Sequence, residues 1–196
     1  MRTDVIYVDN NATTRVAPEV LQEMLPYLTD YYGNASSMHT FGGQVRKAID
    51  RARAQVAGLL GADPGEVVFT SCGTESDNAA LLSAVASRPG RRKVVTSKVE
   101  HPAVLGLCKV LQERGYHIDY IPVNAKGKLC FDALEKMVDD ETAIVSVMWA
   151  NNETGNLYPV LKLAEIAHQH GALFHTDAVQ AAGKVPIDLS RSRIDF

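Results

Sequence analysis

The 196-residue sequence predicts an α/β fold: a mostly parallel sheet with helices on both faces, preceded by an N-terminal arm and helices. Three observations predict it. From about Glu66 onward, short β-rich runs alternate with amphipathic stretches of helical period, the pattern of strands joined by helical crossovers. The run Ala143-Ile144-Val145-Ser146-Val147-Met148 is almost continuously apolar, as a strand becomes when helices cover both faces of its sheet. The chemically unusual polar residues fall just after the strand runs, where an open parallel sheet binds its ligands.

In chain order, Val5-Ile6-Tyr7-Val8 reads as a short strand within an arm that continues through Asp9-Asn10-Asn11-Ala12-Thr13-Thr14. A helix opens at Pro18, because a first-turn proline gives up no helical hydrogen bond. A Gly/Asn/Ser loop follows over 33–39. The next helix carries Val45, Ala48, Ile49, Ala52, Val56, Leu59 and Leu60 at helical spacing, with Arg46, Lys47, Asp50, Arg51 and Arg53 opposite. Gly61 ends it. Residues 1–65 therefore form an arm with helices, and residues 66–196 an α/β domain. Within that domain strands are expected over 67–70, 93–97, 117–121, 142–149 and 172–175. Helices are expected over 75–86, 103–114, 131–138 and 160–170.

Composition narrows the function classes. A content of 46% hydrophobic and 22% charged residues suffices for a packed core. The net charge of -3, with no basic cluster beyond the solvated turn Arg91-Arg92-Lys93, argues against nucleic acid as a partner. No apolar run is long enough to span a membrane, and Met1-Arg2-Thr3-Asp4 lacks a signal-peptide pattern, so a cytoplasmic location is expected. Cys72, Cys108 and Cys130 show no CxxC spacing, which indicates neither a disulfide framework nor a zinc cluster. Cys72 reads as a small residue in a tight turn rather than as a nucleophile.

Four loops carry the candidate chemistry. Ser71-Cys72-Gly73-Thr74 leads into a helix, so free backbone N–H groups, the helix dipole and the Thr74 hydroxyl suit a phosphate; Thr74 as a simple helix cap is the alternative. His101, before Pro102, is placed either to stack on a flat ring and move a proton or to serve a structural role. Asn151 and Asn152 are turn formers as well as polar ligands. Asp177 follows His175 by two residues, but no further ligands complete a metal site. Near a helix end, His168 and His170 suit its terminal carbonyls. Together the loops ask for one ligand with a phosphate, a flat ring and a ring nitrogen wanting a carboxylate. Pyridoxal phosphate meets those requirements, with Asp177 beside its nitrogen and Gln180 beside its hydroxyl.

At these residues the sequence resembles the cysteine desulfurases of the nitrogen-fixation type, in the class V, fold type I branch of the aminotransferase-like superfamily. The matching segments are Tyr7-Val8-Asp9-Asn10-Asn11-Ala12-Thr13-Thr14, Gly33-Asn34-Ala35-Ser36-Ser37, Thr70-Ser71-Cys72-Gly73-Thr74-Glu75-Ser76-Asp77-Asn78, Glu100-His101-Pro102-Ala103-Val104, Met148-Trp149-Ala150-Asn151-Asn152-Glu153-Thr154-Gly155 and Phe174-His175-Thr176-Asp177-Ala178-Val179-Gln180. The resemblance implies that Gly73 and Thr74 bind the cofactor phosphate and that His101 stacks on the ring and is catalytic. It further implies that Asp177 pairs with the ring nitrogen, Gln180 contacts the ring oxygen, and Asn152 lies near that oxygen and the substrate carboxylate. The implied reaction takes L-cysteine to L-alanine and passes sulfur, as an enzyme persulfide, to an acceptor such as an iron-sulfur scaffold protein. A homodimer is the implied assembly.

The departure from the family lies in what the 196 residues omit. None of Lys98, Lys109, Lys126, Lys128, Lys162 or Lys184 sits in the Ser-x-His-Lys type segment that anchors the cofactor, and the persulfide cysteine belongs further on. The chain therefore reads as the N-terminal portion of a longer protein, its large domain incomplete, and is expected to be inactive alone. A related lyase acting on selenocysteine, or a non-catalytic module that binds pyridoxal phosphate or dimerises, fits the same cradle.

Overall fold

A computed structural model describes residues 5–196; the reading of Met1-Arg2-Thr3-Asp4 lies outside them. The chain divides into two compact units, Met1–Val67 and Val68–Phe196.

In the first unit, helix α1 spans Pro18–Thr29 with its proline in the first turn, and α2 spans Thr40–Leu60. His39 caps α2 by accepting a hydrogen bond from Gly42 N at 3.1 Å. Gly61 closes the helix in the left-handed region at φ 68°, the conformation that favours glycine there. Val5-Ile6-Tyr7-Val8 forms no strand, contrary to the sequence expectation: all four residues are exposed, and no described strand pairs with them.

The second unit holds α3 (Gly73–Ser87), β1 (Lys93–Ser97), α4 (Pro102–Glu113), β2 (His117–Ile121), α5 (Phe131–Met137), β3 (Thr142–Ser146), α6 (Val160–Gln169) and β4 (Leu173–His175). The sheet is wholly parallel, in the order β2-β1-β3-β4. Alternate residues feed opposite faces. Val94 and Ile144 join Leu81, Val85, Val104, Leu107 and Leu111 under α3 and α4. Val95, Val145 and Phe174 join Leu134, Leu163 and Ala167 under α5 and α6. The helices thus cover both faces, and the apolar strand runs follow from that.

The expected strand over 67–70 does not form. Val68 and Phe69 are exposed, and the described sheet offers this segment no partner, so its β-favouring residues have no ladder to join. The strand expected over 142–149 ends at Ser146, although its backbone keeps bonding toward β4: Val147 N donates to His175 O at 3.1 Å and Trp149 N to Asp177 O at 2.9 Å. The chain runs from β1 outward to β2 and from β3 outward to β4, so the direction of winding reverses between β1 and β3. A crevice opens at the carboxyl ends of strands where winding reverses in this way.

Candidate functional site

The loops after β1 and β3 flank that crevice, and a buried acid ties them together. Glu100 accepts hydrogen bonds from Ser97 Oγ at 2.5 Å and from Met148 N at 3.0 and 3.1 Å to its two oxygens. Burial outweighs these bonds and pushes its carboxyl from 4.5 up to about 8, with the carboxylates of Asp177 and Asp77 adding to the rise. The next residue, His101, sits exposed at the start of α4. Its Nδ1 accepts from Ala103 N at 3.2 Å, so the ring caps the helix and leaves Nε2 as the protonated nitrogen of the neutral form.

Asn151 shapes the loop after β3. Its side-chain oxygen accepts from Glu153 N, Thr154 N and Thr154 Oγ1, while its amide donates to Val99 O at 3.1 Å across the crevice. Asn152 is half-buried and donates to Glu153 Oε1 at 2.6 Å. Of the two asparagines, then, Asn151 is the scaffold.

Asp177 follows β4, and its Oδ1 accepts from Val179 N at 3.0 Å, turning the chain. Burial first, and the Asp77 carboxylate second, raise its carboxyl; the Val179 N–H, His175 and His101 pull it back. Gln180 lies in the same turn, where its side-chain oxygen accepts from Lys184 Nζ.

Gly73 opens α3 beside this turn: a Cβ added there would stand 3.2 Å from Val179 Cγ2. Thr74 follows it in the first turn and is not the cap, since Cys72 holds that position in extended backbone. Glu75 closes the loop by accepting from Ser71 N at 2.7 Å and Ser71 Oγ at 2.6 Å. The Glu75 backbone N–H and the Ser71 hydroxyl hold the Cys72 thiol below its ordinary value. Among the described residues no strand precedes this loop; α3 packing on the sheet carries it to the rim.

The turn that holds Asp177 thus lies against the start of α3 through Val179 and Gly73, and His101 acts electrostatically on the same carboxyl. Asn152 and Gln180 belong to the loops that border it, each bonded to a neighbour in its own loop. Sequence reasoning gave no role to Glu100, Asp77, His175 or Ser146. A signal existed for Asp77, which falls on the buried stripe of α3 with Leu81, Ala84 and Val85. The donor set fits an anionic phosphate at a helix N-terminus together with a flat ring whose protonated nitrogen meets a carboxylate. Among the described residues, no group of three or more His, Cys, Asp or Glu side chains is placed to hold a metal ion.

The aminotransferase class-V profile matches residues 6–196. A cysteine desulfurase of Trichormus azollae is 56% identical over 192 residues, covering 98% of this chain and 48% of that protein. The cysteine desulfurase NifS of Azotobacter vinelandii is 54% identical over 190 residues, covering 96% and 47%. Among solved structures, a NifS-like protein superimposes with a TM-score of 0.92 at 40% identity, covering 95% of this chain and 52% of that one. SspA in complex with cysteine also gives 0.92, at 34% identity, covering 96% and 55%. The chain spans about half the length of the curated relatives it matches. With a family profile matched over nearly its whole length, the chain belongs to the aminotransferase class-V family.

Proposed function

We propose that this chain is the cofactor-cradling part of a pyridoxal-phosphate-dependent cysteine desulfurase, with residues 66–196 as the cofactor domain. The whole protein would convert L-cysteine to L-alanine in the cytoplasm. It would work as a homodimer and pass sulfur to an acceptor such as an iron-sulfur scaffold protein. The observation that carries the reading is the rim around Asp177, where a half-buried carboxylate follows β4 in a turn packed against the N-terminus of α3 and within electrostatic reach of His101. The relatives named cysteine desulfurase and the neighbour bound to cysteine support the substrate.

When bound, the cofactor supplies an electron sink that stabilises charge developing on the substrate carbon. Gly73 and Thr74 hold its phosphate with backbone N–H groups and a hydroxyl; the close approach of Val179 favours a residue without Cβ at position 73. Asp177 keeps a proton on the ring nitrogen. His101 covers the ring face and exchanges protons through Nε2, its Nδ1 being committed to Ala103 N. Asn152 and Gln180 orient the ring oxygen, and Asn152 also meets the substrate carboxylate.

Equilibrium titration of the chain with pyridoxal phosphate, followed by the cofactor's absorbance, tests the reading. Saturable binding that Asp177→Ala weakens tenfold or more, with an unchanged circular dichroism spectrum, is expected. Equal binding by the variant would refute the role of Asp177.

A further inference from the structure

Beneath the rim runs a buried polar chain that no role above uses. Ser146 on β3, His175 on β4 and Asp77 on α3 are all buried. His175 Nδ1 lies 2.9 Å from Ser146 Oγ, and its Nε2 lies 3.5 Å from Asp77 Oδ1. Nδ1 thus has a hydrogen-bond partner and Nε2 faces a carboxylate, so turning the imidazole would break the bond to Ser146 inside the core. The backbone bonds from Val147 to His175 and from Trp149 to Asp177 carry the β3 pairing two residues past β4. His175 and Asp177 thus share a face of the sheet, the one that Leu173 marks as covered by α3 and α4.

We propose that His175, gripped by Ser146 and Asp77, is a positioning residue that holds the neighbouring Asp177 carboxylate charged and fixed for the ring nitrogen of the cofactor. This assignment rests on the cofactor reading above. Four titratable groups act on Asp177: His175 from β4, His101 from the start of α4, Asp77 from α3 and Glu100 from the loop after β1. Two of them are carboxyls, and burial also opposes charge on Asp177, so its ionised form is favoured by the Val179 N–H and, among the titratable groups, by the two imidazoles. Exposed His101 is screened by water, whereas buried His175 acts through protein of low dielectric. The Ser146 hydroxyl donates to a neutral ring or accepts from a charged one, so this tether holds in either form. Asp77 supplies the countercharge.

The test is a carbon-13 NMR titration of the Asp177 carboxyl in the 196-residue chain without cofactor, comparing wild type, His175→Gln and Ser146→Ala. Glutamine keeps polarity and approximate length but carries no charge, and should raise the Asp177 midpoint by about one pH unit. Ser146→Ala leaves the ring one tether and should move the midpoint the same way by less. An unchanged midpoint in folded His175→Gln overturns the proposal; where that variant does not fold, an unchanged midpoint in Ser146→Ala does so. A merely structural role would change the melting temperature and leave the midpoint alone. Titrated with pyridoxal phosphate, the His175→Gln chain should also bind the cofactor more weakly than wild type. Failure of the wild-type chain to bind the cofactor would refute the cofactor reading instead, and the carboxyl titration would still decide the role of His175.

Discussion

Replacing Glu100 by Gln removes a titrating proton from the centre of the crevice while keeping the length and shape of the side chain. The wild-type carboxyl titrates at about 8 in the folded chain against an ordinary 4.5, so the folded state binds the extra proton between those values. Stability linked to this group is fully present below pH 4.5 and is lost as pH rises toward 8. A rise from 4.5 to about 8 corresponds to a loss of ~5 kcal/mol across that window, a large fraction of a domain's whole stability. Glutamine still accepts from Met148 N through its oxygen, and its amide must donate to Ser97 Oγ in place of the present bond, an exchange that costs about 1 kcal/mol. Glu100→Gln should therefore be slightly less stable than wild type at pH 5 and several kcal/mol more stable at pH 8.5. Urea unfolding followed by the fluorescence of Trp149, the sole tryptophan, reports on this unit. Parallel loss of stability in both proteins between pH 5 and 8.5 would refute the assignment of that proton to Glu100.

Gly73→Ala should fold with a stability change under about 1 kcal/mol, because Val179 Cγ2 at 3.2 Å must give way by only a few tenths of an ångström. The same methyl should weaken pyridoxal phosphate binding, measured by equilibrium dialysis, and unchanged binding would remove position 73 from the phosphate site. His101→Phe should cost about 1 kcal/mol in thermal unfolding through the lost cap on Ala103 N, yet bind pyridoxal phosphate better than His101→Ala. Equal affinities of the two variants would argue against stacking. Incubated with pyridoxal phosphate and cysteine, the 196 residues should yield no alanine or persulfide above a cofactor-only blank, since no lysine here occupies the anchoring motif. Turnover above the blank would demand another nucleophile among them.

The strands Lys93–Ser97 and His117–Ile121 were legible to the residue, because each is a short β-rich run set off by the glycines at 90 and 115. The same signal misled at 67–70. Val67-Val68-Phe69-Thr70 has strand composition, but a strand is a property of a pair, and nothing local announces whether a partner lies alongside. The loops after β1, β3 and β4 could be read as a rim because parallel strands end on one side, which turns sequence order into spatial proximity. What lies below the rim could not be read in that way. Glu100 is adjacent to His101 in sequence and looked like part of the same polar loop, yet it is buried against Met148 N in the loop after β3.

His175 and Asp177 posed a sharper problem, since residues two apart face the same way only if the strand continues. The backbone bonds from Val147 and Trp149 are what continue it. Three carboxyls, Asp77, Glu100 and Asp177, and the imidazole of His175 are thereby gathered where a core selected for stability alone would hold apolar side chains. Asp77 breaks the apolar stripe of α3, Glu100 and Asp177 are acids withdrawn from water in two loops, and the three coincide in space although they are dispersed over 100 residues of sequence. Such coincident violations are expected where folding free energy has been given up for chemistry. The raised Glu100 carboxyl is the measurable sign of that cost, so its titration and that of Asp177 bear on one question from two sides: whether this crevice is organised around charge.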